Sequence, residues 1–113
     1  LRLENEKYER KLIYIPQMTE IINKMIKRAL DAYVDRNVEE AYEVCKMDDE
    51  VDKLYKNVFK EMLELMNKDK SRINQCTQLL FVCKYLERIA DHVTNICEEA
   101  IYLVTGEQKD LNE

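Results

Sequence analysis

Cys76, Cys83, Ala90, Cys97 and Val104 stand seven residues apart, and Leu79, Leu86, Val93 and Ala100 repeat that step three residues later. On a strand an odd repeat would throw alternate members onto opposite faces. On an α-helix the two rows merge into one stripe. With these rows as a and d, Val82, Ile89, Ile96 and Leu103 fill g. A broad apolar face is therefore predicted to turn toward neighbouring helices. An upstream segment repeats the pattern, with Val44, Val51, Val58 and Leu65 at a and Met47 and Leu54 at d. A third run, Met18, Ile22, Met25, Ala29 and Ala32, advances in alternating steps of four and three.

One glycine and one proline in 113 residues leave no room for the many tight turns of a sandwich or barrel. The chain is 46% hydrophobic, too apolar for disorder, and its length suits one ordinary domain. Pro16 suits the first turn of a helix. Asp35-Arg36-Asn37 interrupts the pattern, and Asn37 with Glu40 three residues on reads as a capping box. Asn67-Lys68-Asp69-Lys70 is the next break, with Asp69 or Ser71 as cap, and Gly106 is expected to stop the last helix in the left-handed conformation. Helices are thus predicted at about 17–34, 38–66 and 71–105. The last two would be on the order of 40–50 Å long. Short loops between long helices make antiparallel neighbours, so the expected fold is all-α: an elongated antiparallel three-helix bundle over 15–107. Residues 1–14 read as a linker or the tail of a preceding helix, and 108–113 as a C-terminal tail.

The net charge of −5 argues against a nucleic-acid partner, which would need a basic face. No apolar run approaches the ~20 residues that span a bilayer, and no basic-then-apolar leader opens the sequence. Direct membrane insertion is not expected. Cys45, Cys76, Cys83 and Cys97 include no Cys-x-x-Cys pair, and three sit at seam spacing. They read as small core residues in a reducing cytoplasm rather than as a disulfide framework.

The residues that carry chemistry lie beside the seam. The e and b rows of the second helix run Cys45, Asp48, Asp52, Tyr55, Phe59, Met62 and Met66, an apolar edge except for two aspartates one turn apart. On the third helix the same edge runs Leu80, Lys84, Glu87, Asp91, Thr94, Glu98 and Ile101. Two helices thus present acid-x-x-x-Asp at the same phase to their seams. In an antiparallel pair the e edges flank one another, so Asp48 and Asp52 can face Glu87 and Asp91. Four gathered carboxylates repel and raise one another's pKa values unless a basic partner or hard cations relieve them. Lys84 and Arg88 are near, but Glu39 to Asp52 holds seven acids against Lys46 alone. Asp48-Asp49-Glu50-Val51-Asp52 lacks the glycine and closing glutamate of a calcium loop. No Glu-x-x-His of a ferritin-like di-iron centre includes the lone His92, which falls at outward position c, with support of Asp91 as its minor alternative. No phosphate loop, nucleophile elbow or metalloprotease motif occurs. The tyrosines read as packing residues, some open to an interface.

Lys84-Tyr85-Leu86-Glu87-Arg88-Ile89-Ala90-Asp91-His92-Val93-Thr94-Asn95-Ile96-Cys97, continuing to Gly106-Glu107, closely resembles the closing signature of the PhoU family. Asp48-Asp49-Glu50-Val51-Asp52-Lys53-Leu54-Tyr55 resembles the family's other acidic motif, and the likeness spans roughly 15–107. The resemblance implies a cytoplasmic, all-helical, non-enzymatic regulator built from two three-helix repeats. It implies E/D-x-x-x-D motifs that bind divalent or iron ions, which places Asp48, Asp52, Glu87 and Asp91 as ligands. Asp49, Asn95 and Glu98 stand by as additional or supporting ones. The implied partners are the ATPase of the phosphate-specific ABC transporter and a sensor histidine kinase, with the phosphate-starvation response held off when phosphate is plentiful. The chain holds one repeat and reads as the second half of such a protein, or a piece cut from one. The g row, with Phe81 and Tyr102 beside it, is the expected surface between halves or between chains, a homodimer included. The alternative to metal binding is an acidic helical module that docks on basic surfaces without an ion. A carboxylate-bridged metal oxidase is disfavoured by the missing Glu-x-x-His.

Overall fold

The computed structural model describes the backbone of residues 2–112 and the side chains of residues 14–106. Three helices make an up-down-up bundle of 66 × 20 × 16 Å: α1 (Arg2–Asp35), α2 (Val38–Lys68) and α3 (Ile73–Asn112), with a 3-10 turn at Lys70–Arg72. No strand occurs among the described residues.

The seams pack as the heptads require. Val44, Val51, Val58 and Leu65 of α2 meet Cys76, Cys83, Ala90 and Cys97 of α3 and Met18, Ile22, Met25, Ala29 and Ala32 of α1 in one buried core. The register between α2 and α3 follows from three contacts that step in opposite directions: the thiols of Cys45 and Cys97 meet, Lys84 lies over the Tyr55 ring, and the Thr77 hydroxyl is 3.9 Å from Met66 Sδ. The two helices are antiparallel. All four cysteines are free thiols, three of them buried. Burial pushes Cys97 up to about 12 and Cys83 to about 11, so both behave as neutral core residues.

The helix ends differ from expectation at four points. Pro16 lies inside α1 rather than in its first turn, since the helix runs from Arg2; the side chains before Tyr14 lie outside the described residues. Pro16 is exposed, where solvent can satisfy the hydrogen bond that a proline forfeits. Asn37 caps α2 by accepting from the Glu40 amide at 3.1 Å, but the reciprocal half of the box is missing. The Glu40 carboxylate pairs instead with the Arg28 guanidinium, tying α1 to α2. Arg36 takes the left-handed position (φ 55°) that ends α1, with Asn37 N–H donating to the Ala32 carbonyl at 2.9 Å. Asp69 caps the 3-10 turn rather than α3, accepting from the Ser71 amide at 3.1 Å.

Gly106, finally, does not stop α3. It has no positive φ, the helix continues to Asn112, and a Cβ there would meet nothing within 4 Å. The expected C-terminal tail of 108–113 is therefore helical up to Asn112. An alanine suits such a site better than glycine by about 1 kcal/mol. Gly106→Ala is accordingly expected to raise the denaturation midpoint. A left-handed cap would give the opposite sign.

The g row of α3 is the one part of the heptad reading that the bundle does not absorb. Val82, Ile89 and Ile96 remain 45%, 42% and 37% exposed, because α1 and α2 cover only the a and d sides. Two helices cannot enclose a third all round.

Candidate metal centre

Asp48 and Asp52 stand on the edge of α2 where its buried a row gives way to solvent, and both are half-buried. The antiparallel register brings Glu87 and Asp91 of α3 alongside. Burial is the largest cause raising the Asp48 carboxyl, to about 6, followed by the charges of Asp52, Asp91, Asp49 and Glu87. Asp52 is raised by burial first and then by Glu87 and Asp91, against the downward pull of Lys56. The four acids predicted to face one another thus lie within electrostatic reach across the α2–α3 seam.

Their other neighbours decide what they can do. Glu87 accepts from Lys84 Nζ at 2.8 Å and is well covered, whereas Asp91 is exposed. Asp48 Oδ1 is buried and receives no hydrogen bond from the described residues. An acceptor left so costs about 1–3 kcal/mol unless a donor or cation meets it. Hard carboxylate oxygens on two rigid helices, one orphaned, fit a hard divalent or iron cation in donor chemistry. They do not form a closed cage: among the described residues no three His, Cys, Asp or Glu side chains converge closely enough to hold an ion unaided. The arrangement is an open strip.

The supporting residues divide. Asp49 is exposed, yet its charge acts on both Asp48 and Asp52. Glu98 acts on Cys45, one turn further along the seam. Asn95 and His92 line a groove with Leu30, Tyr33, Ile96 and Glu99 that none of the four acids lines. Of the two bases expected nearby, Lys84 reaches Glu87, while Arg88 is not among the charges acting on Asp48 or Asp52. Lys56 takes that place; its spacing of four from Asp52 was the signal for it. Tyr55 also belongs to the strip, since the Lys84 ammonium lies 5.5 Å from its ring centroid.

A carboxyl whose folded pKa exceeds its unfolded value binds the proton more tightly when folded. It therefore withdraws stability as pH rises. For Asp48 the loss runs from about 3.8 to about 6 and is complete above. In chelator, Asp48→Asn is expected to be the more stable protein at pH 7, by on the order of 1 kcal/mol after solvent screening. That advantage should close as pH falls through this window, as read by urea denaturation.

Over its described residues the chain is an all-helical bundle with two acid pairs matched across one seam. Sequence comparison places it more narrowly. A family model, PhoU domain, matches residues 15–100. A protein of Clostridium acetobutylicum, named phosphate-specific transport system accessory protein PhoU homolog, is 57% identical over 112 residues, 99% of this chain and 51% of that protein. Relatives of the same name from Zymomonas mobilis and Thermotoga maritima (the latter homolog 2) are 44% and 41% identical, over 83% and 82% of this chain and 40% of each relative. The chain belongs to the PhoU family, and it spans about half the length of these relatives. Among the described residues no helix is long and apolar enough to cross a membrane.

Proposed function

We propose that this chain is a metal-binding regulatory domain, without enzymatic activity, that acts in the cytoplasm on phosphate uptake. The name shared by its relatives supports a role beside the phosphate-specific transport system. The observation that carries the metal reading is the pair of acid-x-x-x-Asp elements, Asp48/Asp52 and Glu87/Asp91, set against each other across one seam with Asp48 Oδ1 unsatisfied. A divalent or iron ion held there cross-links α2 and α3 and turns a repulsive strip into a surface with fixed geometry. The transporter's ATPase and a sensor histidine kinase are the proposed readers of that surface, and the outward row Val82, Ile89 and Ile96 offers apolar area for a further contact, a second copy included.

The open geometry favours a second reading, a metal-independent acidic module that docks on basic surfaces. Binding of the purified ATPase or kinase separates the two. A charge-only surface weakens steadily with ionic strength; a metal-dependent one is lost in chelator at constant salt and returns with Mn²⁺.

A further inference from the structure

The strip contains a base in an unusual setting. Lys84 sits one turn before Glu87 on α3, and its ammonium donates to Glu87 Oε1 at 2.8 Å while lying 5.5 Å from the Tyr55 ring centroid on α2. The lysine is half-exposed, whereas the glutamate it holds is only 14% exposed. The ion pair therefore sits at the mouth of the strip with its negative end inward. The ammonium engages Oε1 of Glu87, so a cation that takes both carboxylate oxygens must displace it. The neighbouring Asp48 and Asp52 lack such a partner of their own, apart from the more distant influence of Lys56 on Asp52.

We propose that Lys84, seated on Tyr55, is the site's internal counter-ion: it holds Glu87 until a divalent cation binds across α2 and α3 and takes the carboxylate from it. The inference rests on the metal reading above and adds a regulator to that site. Lys84 then weakens metal affinity twice, by adding a positive charge beside the incoming cation and by occupying one of its ligands. It also holds the strip together while no cation does, since one ammonium offsets part of the repulsion among four carboxylates. A metal-binding event frees an ammonium on the outer face, so the surface a partner meets changes as well as the ion content.

The test is calorimetric titration of the chain with Mn²⁺ alone, beside Lys84→Gln and Lys84→Arg, together with melts in chelator at low and at molar salt. Lys84 is half-exposed, so its replacement leaves the core intact. Lys84→Gln is expected to bind Mn²⁺ about tenfold more tightly than the parent chain, and Lys84→Arg within about twofold of it. In chelator at low salt, Lys84→Gln should melt below the parent, and molar salt should close the gap. Mn²⁺ binding by the glutamine variant alone would support the inference in a stronger form. Equal or weaker affinity in Lys84→Gln, with binding retained, or an unchanged melt in chelator, overturns the counter-ion and leaves the metal reading standing. Absence of Mn²⁺ binding in parent and variants alike removes both.

Discussion

Mn²⁺ at a hundredfold excess over its dissociation constant is expected to raise the melting temperature of this chain by roughly 10–15 °C, and Asp52→Ala with Asp91→Ala to abolish the rise. Ligand binding to the folded state alone at that excess contributes about 2.7 kcal/mol, and each kcal/mol moves the midpoint of a domain this small by several degrees. The two aspartates are chosen because each removes one proposed ligand from one helix. Asp52 is half-buried on α2 and Asp91 exposed on α3, so neither truncation opens the core. Their loss also takes two like charges off the strip. Burial and the charges of Glu87 and Asp91 raise the Asp52 carboxyl, so the double variant should melt at or above the parent in chelator while failing to respond to metal. A parent melting curve unchanged by Mn²⁺, Mg²⁺ and ferrous iron removes the metal reading.

Met25→Ala should cost about 2–5 kcal/mol, a fall in melting temperature of 10 °C or more, because it leaves a cavity where the helices meet. Met25 is fully buried in the shared core, on the helix that carries none of the four site acids. The metal-induced increment in this variant should match the parent's, since α2 and α3 still bring their acids together. An increment that vanishes with Met25 would mean that the ion reads the packing of the whole bundle rather than the α2–α3 seam. The pair of experiments thus separates what holds the protein together from what the protein holds.

The helix periodicities were fully legible. Every a-row residue named on α2, and Cys76, Cys83, Ala90 and Cys97 on α3, is buried. A seven-residue repeat keeps those side chains on one face of each helix, and that face is the one the neighbouring helices cover. The acid pairs were legible for the same reason, since phase to the seam determines which edge a side chain occupies. Helix ends were less so. Pro16 and Gly106 carry the same local signal whether they bound a helix or lie inside one, and packing along α1 and α3 carries both helices past them. Glu40 likewise has two partners within reach, and only the approach of α1 gives it to Arg28 rather than to its own cap.

Sequence alone, then, determined three amphipathic helices, a core of small and sulfur-containing residues, and two carboxylate pairs in phase. Those properties depend on spacing along one chain. Which base neutralises which acid, that Asp48 Oδ1 is left without a donor among the described residues and that the g row stays outside were decided by the tertiary structure. Each depends on distances between helices, set by how Val, Cys, Met and Ala side chains interlock, and no periodicity along a single helix encodes that separation.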